Sequence, residues 1–418
     1  RAIVAENPEG FMKPYSTEDK STPYDDMKQA VSHKFRLKAI LASPGDIVEA
    51  ERPRLWLILI DVAAREEVMS IVVEVMKALH AGQANCPRFP LHRVLANSAA
   101  PSGATRQLRP QRTGDRKWEK DTQAYLKALP ADLQNKSGVH EFFPGVNMPP
   151  MQEREAALLN AAILTEVARG NQHRLGNLVV DISQSLSQKP WSFEMKTFCS
   201  KSLPLHVSTG KFIKPGHALM IYGQPALAAG AKPESVSEST WKKAVGSTMA
   251  LQSVGLIVLS VLIGAAELFP GLWRKTDAFD RTACHPKSHS LILNPRWQDE
   301  VQVAHWTQAL LHAARPMLMN LGGPPIRDVV ISTSCSGLHA PGLALQALGF
   351  PHKELFAVDP NVCSILHREL LHQLGILPKP QHHFFVIRDL LSADGRGKAE
   401  CAICRKTCTW SRGKARST

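Results

Sequence analysis

The stretch Ile326–Asp359, IRDVVISTSCSGLHAPGLALQALGFPHKELFAVD, decides how the rest of the chain is read. Asp328 to Thr333 is a short run rich in β-branched residues, the composition of a buried strand. It runs into Ser334-Cys335-Ser336-Gly337, small residues that permit a sharp turn. Ala340 to Leu348 then carries Leu343, Leu345 and Leu348 at near-helical spacing, and Gly349 supplies a stop. Leu355 to Val358 reads as a second strand, with Asp359 at its carboxyl end. Strand, turn, helix and strand predict an α/β fold. In an open sheet of that kind, nucleotide-like ligands lie at the carboxyl edge of the strands. There the small-residue turn lets backbone N–H groups approach a ligand, and an acid after the second strand can bond ribose hydroxyls.

Two more strands and a helix extend the pattern. Asn361 to Leu374 has a helical period, and His383 to Ile387 reads as a third strand ending at Arg388-Asp389. Upstream, Phe35 to Asp61 holds an alternating run, a Ser43-Pro44-Gly45-Asp46 turn and an apolar strand, Leu55 to Ile60, entered through Arg52-Pro53-Arg54. Two arginines at i and i+2 on an extended chain point the same way and suit a phosphate or a base carbonyl.

Composition sets the frame. The chain has 418 residues, 44% hydrophobic and 21% charged, and a formal net charge of +13. That length accommodates two or three compact units. The positive excess favours a polyanionic partner, of which nucleic acid is the obvious one. Eight cysteines scattered over this length do not form a disulfide framework and suit a reducing compartment. The sequence starts at Arg1 rather than Met, which reads as a fragment or a processed product.

The motifs resemble those of the cytosine-5 DNA methyltransferases. Ser336-Gly337-Leu338 is similar to that family's cofactor turn, with His339 and Ala340 standing where the family has its second and third glycines. Asp359-Pro360 matches the acid segment after the next strand, with Ala357 at the place of the family's ribose carboxylate. Arg52 and Arg54 match a Gln-x-Arg-x-Arg motif, Ala50 replacing the Gln, and the resemblance makes Arg54 the candidate contact to a flipped cytosine. Leu203 to Gly223 resembles the segment supporting the recognition region, through Pro204 and Gly210. Gly246-Ser247-Thr248-Met249 resembles the motif before the family's last helix, with Ser247 in place of Asn. Asp389 stands where the family meets the adenine amino group.

The resemblance therefore implies a Rossmann-like S-adenosylmethionine-dependent methyltransferase sheet with a smaller target-recognition region. It implies S-adenosylmethionine as cofactor, DNA as partner and the nucleus as location. The implied cofactor residues are Ser336, Gly337, Leu338, His339, Asp359, Pro360, Asp389, Gly246, Ser247 and Met249; the implied catalytic residues are Arg54 and Arg52. The family's chemistry uses a Pro-Cys nucleophile and a Glu-Asn-Val acid, and the sequence contains neither. A non-catalytic relative that binds DNA or protein is the first alternative. RNA as methyl acceptor stays open beside DNA.

The expected organisation is a loose lead-in over 1–34, a methyltransferase-like region over 35–265 with its recognition region at about 62–223, a linker over 266–325, a cofactor-binding half over 326–400 and a basic tail over 401–418. Within the recognition region, 84–117 reads as an exposed basic loop. The arginine pair and final helix precede the cofactor turn. This order fits a circular permutation, or a slice of a tandem array whose other methyltransferase-like domains would be partners.

Two bland readings complete the picture. No charge occurs between Lys243 and Glu267, a run long enough to span a bilayer, which keeps a membrane-anchored basic protein as a second alternative. A buried helix is the reading preferred, and no membrane is expected. Cys401, Cys404 and Cys408 have thiolate spacing suited to zinc but supply only three ligands, and Cys284, His285 and His289 have metal-binding side chains with no partner pair nearby, so no metal is expected.

Overall fold

The computed structural model describes residues 2–7, 12–42, 54–97, 117–199, 201–268, 271–273, 300–321, 328–334, 337–359, 361–380, 382–384, 396–401 and 406–411. Arg52, Ser336, Pro360, Asp389, Cys404 and the Cys284–His289 cluster lie outside these residues.

The N-terminal segment forms a three-stranded antiparallel sheet. It contains β1 (Ala2–Asn7), α1 (Pro23–Val31), β2 (Phe35–Ala42) and β3 (Arg54–Asp61), in the order β1-β3-β2. The central strand is β3, and its unbroken apolar run explains why. Leu55, Leu57 and Leu59 pack against Tyr24, Met27 and Val31 of α1, while Trp56, Ile58 and Ile60 face the main core. The expectation of a loose lead-in is corrected here. Ala2 pairs with Ile60 and Asn7 with Leu55. The helix α1 opens on a reciprocal cap between Thr22 and Asp25, with a proline in its first turn. Next come α2 (Val68–Ala84) and α3 (Leu91–Asn97). Phe89, Leu91, Val94 and Leu95 are buried, so the first part of the expected basic loop belongs to the core; residues 98–116 lie outside the described residues.

A second, smaller core follows. It is built by α4 (Lys117–Lys127), α5 (Ala131–Gln134), α6 (Gly138–Phe142), α7 (Glu153–Ala168), β4 (Val179–Asp181), β5 (Trp191–Ser192), β6 (Pro204–His206) and β7 (Lys211–Phe212). The four strands form an antiparallel sheet in the order β5-β4-β6-β7. Leu158, Leu159, Ala162 and Ile163 of α7 meet Val180, Leu205 and Val207 in this core. It is narrower than the expected recognition region. The apolar faces of α2 and α3 at one end, and of residues 215–223 at the other, are buried in the main core instead.

The main core is organised by helices: α8 (Pro215–Ile221), α9 (Ala226–Ala229), α10 (Glu238–Ser247), α11 (Leu251–Gly264) and α12 (Val301–Asn320). Apolar on every side, α11 is covered by α2, α12 and α13 (Ala340–Ala347). The most apolar 18-residue stretch within Glu238–Gly264 is 78% buried within the protein, and the chain breaks between α10 and α11 at Thr248 to Ala250. Gly255 has no Cβ where the ring of Trp306 on α12 lies 2.7 Å from the Cβ position. Trp306 is fully buried and its Nε1 donates to the Gly223 carbonyl at 3.2 Å. The segment over 266–325 thus carries the helix that the pattern from Gln302 to Leu321 predicts, and that helix fills the core.

The C-terminal unit matches the reading of the opening stretch. With α13, it contains β8 (Val329–Ser334), β9 (His352–Val358), α14 (Val362–Gln373), β10 (His382–Phe384), β11 (Arg396–Cys401) and β12 (Lys406–Ser411). The sheet order is β12-β11-β10-β9-β8. Strands β8, β9 and β10 are parallel and are joined through α13 and α14; β11 and β12 form an antiparallel hairpin on β10. The basic tail is corrected in part, because residues 406–411 pair with 396–401. The chain is therefore a mixed α/β protein with three small sheets among the described residues.

Candidate functional site

The turn between β8 and α13 faces the carboxyl end of β9. Gly337 takes a left-handed φ of 52°, and His339 follows at 63°. The second value costs a residue with a Cβ about 1–2 kcal/mol, so the surroundings must hold it. Asp359 holds Gly337, two residues before His339. Its Oδ2 accepts the Gly337 N–H at 2.7 Å and its Oδ1 accepts the Asn361 N–H at 2.8 Å. The Asn361 side chain in turn caps α14 by accepting the Cys363 N–H at 2.9 Å.

The side chains on either side of this turn point into the protein. Leu338, His339 and Ala340 are buried. The His339 Nε2 lies 2.9 Å from the Ser364 carbonyl of α14, and its ring stacks on His367 with centroids 6.1 Å apart. His367 is fully buried, lies 5.4 Å from the Trp241 ring of α10 and is pushed down to about 4 by desolvation. Cys363, beside Asp359, has its thiol pushed up by burial first and by the Asp359 charge second. A thiol kept protonated is a poor nucleophile.

Beneath the turn lies a buried ion pair. Arg368 of α14 meets Glu354 of β9 at 2.6 Å, both side chains 2% exposed. Thr333 of β8 donates to the other Glu354 oxygen at 2.6 Å, and Arg368 also donates to the Pro378 carbonyl. Sequence reading missed this network. A Glu inside a strand, with an Arg on the helix that follows it, is a local misfit that could have flagged it.

The segment Gly246 to Met249 is brought to the same unit. It links α10, which packs on α14, to α11, which packs on α13. Ser247 and Thr248 each donate their hydroxyl to the Ala244 carbonyl, and Met249 packs partly buried on the main core. Gly246 has a steric role: a Cβ there would collide with the Phe198 carbonyl oxygen. Gly246→Ala is expected to lower stability by about 1–3 kcal/mol through overpacking, read as an earlier urea midpoint. An unchanged midpoint would contradict that close approach.

Arg54 stands apart from the turn, on the three-stranded sheet. Its Nε pairs with Glu6 of β1 at 2.8 Å and its side chain is 24% exposed. A contact to a base would have to share the guanidinium with that carboxylate. Among the described residues no group of three His, Cys, Asp or Glu could hold a metal ion. No family model matches this sequence, and no curated protein matches it.

Proposed function

We propose that this chain is a cytosine-5 DNA methyltransferase-like protein that binds S-adenosylmethionine at the turn after β8. The observation that carries the reading is Asp359, an acid at the carboxyl end of a parallel strand that grips the glycine N–H of the preceding turn. The residues fit a nucleoside cofactor. A carboxylate has about four lone-pair sites. Two are taken by Gly337 and Asn361, which leaves capacity for ribose hydroxyls. Ala357 is buried in β9, so Asp359 would do this alone. The fold reading that goes with this is a Rossmann-like methyltransferase sheet, supported by the parallel order β10-β9-β8 and the helices between the strands.

When bound, the cofactor supplies a methyl group activated by a sulfonium. The roles left to the chain are binding and orientation. Asp359 would orient the ribose, the Gly337–Ala340 backbone would face the cofactor, and the α10–α11 link would border the site. The +13 charge suits a DNA partner and a nuclear setting, and a tandem arrangement would add other methyltransferase-like domains as partners.

The sequence lacks both Pro-Cys and Glu-Asn-Val. This favours a second reading, in which the chain binds cofactor or DNA without turning over.

Calorimetric titration of S-adenosylmethionine into the folded chain tests the proposal. Binding in roughly the micromolar range is expected, weakened at least about tenfold in Asp359→Ala. Circular dichroism of the variant separates lost binding from lost folding. A folded wild-type chain that takes up no cofactor would overturn the reading.

A further inference from the structure

The turn after β8 has few glycines for its shape. Two of the three residues from Gly337 to His339 are left-handed, yet only Gly337 is a glycine, and His339 carries a full side chain. Something outside the turn must keep it in place.

The first turn of α14 provides it. The Ser364 hydroxyl donates to the Gly337 carbonyl at 2.6 Å. Ser364 is free to reach across because Asn361 already caps its helix. In the opposite direction, His339 donates from Nε2 to the Ser364 carbonyl at 2.9 Å. Ser364 and His339 are each 2% exposed, so these bonds form away from water, where an unmade one is costly. With Asp359 holding the Gly337 N–H, both backbone polar groups of Gly337 are bound: the carbonyl by α14, the amide by the acid. The His339 ring is then wedged against His367, which abuts Trp241 of α10.

We propose that Ser364 and His339 are positioning residues that clamp the Gly337–His339 turn onto α14 and so keep the Gly337 N–H on Asp359. The clamp replaces what further glycines would do in a turn shaped by backbone freedom alone. A ligand at this edge meets a turn set in advance, which lowers the ordering cost of binding. The inference rests on the proposed function only for the identity of that ligand, S-adenosylmethionine.

Amide hydrogen exchange on the full chain tests it, read at Gly337 with the α7 amides as reference. Ser364→Ala removes the hydroxyl. His339→Gly removes the ring while suiting the left-handed backbone, and carries the same comparison should Ser364→Ala fold poorly. Exchange at Gly337 is expected to rise about three- to tenfold in each variant, the range of one lost hydrogen bond, with α7 unchanged. Rates within about twofold of wild type in both variants would overturn the clamp. Titration of S-adenosylmethionine into the same samples separates the two claims. Affinity falling in step with turn protection supports both. A wild-type chain that takes up no cofactor, with a turn that still loosens, retains the clamp and removes the cofactor reading. Unaltered cofactor affinity with a loosened turn would overturn the positioning role.

Discussion

Glu354→Gln is expected to destabilise the protein by about 3–5 kcal/mol, the cost of leaving Arg368 charged and unpaired in the interior. The guanidinium is 2% exposed and already strained by desolvation, which pulls its proton affinity down while the Glu354 charge pulls it back up. Removing the acid deletes the favourable half of that balance. It also leaves the Thr333 hydroxyl facing an amide in place of a carboxylate. A domain is stable by only about 5–15 kcal/mol, so the loss is a large fraction of the whole. Pairing Glu354→Gln with Arg368→Met should recover most of it, because no charge is then stranded. Urea denaturation of the single and the double variant reads this directly. A single-variant loss below about 1 kcal/mol would mean that water reaches the pair.

The second large effect is acid sensitivity between pH 6.5 and 4. His206, His217 and His367 are each pushed down to about 4, chiefly by desolvation, and His352 is lowered for the same first cause. The folded values lie below the unfolded one, so the unfolded chain binds more protons in that window. Stability is therefore complete above the unfolded value near 6.5 and is lost as pH falls toward 4. Each group can contribute a slope of up to about 1.4 kcal/mol per pH unit. Geometry gives an independent reason at His217, whose Nδ1 accepts the Lys214 N–H at 3.2 Å and loses that lone pair on protonation. The expected result is a urea midpoint that falls steeply from pH 7 to pH 5. A flat profile over that range would show that these rings gain protons in the folded state at no cost.

Much of the C-terminal unit was legible in the chain because its signals are local. The β-branched run became β8, the Leu343–Leu348 period became α13, and the helical period from Asn361 to Leu374 became α14. The apolar strand at Leu55 to Ile60 was likewise plain. The N-terminal strand was not. Residues 2–7 have no pattern that distinguishes them from a tail until β3 offers its backbone. The same holds for the paired strands 396–401 and 406–411, whose composition is that of an exposed basic end.

The candidate site divides along the same line. Residue types and spacing placed Gly337 in a turn and Asp359 at a strand end, since each follows from its near neighbours. Packing between distant segments settled that Asp359 spends two lone pairs on that turn, that His339 points inward to α14, that Arg54 meets Glu6, and that the uncharged helix α11 is covered by protein. A side chain's partner depends on which other element folds against it. No local window of sequence contains that element.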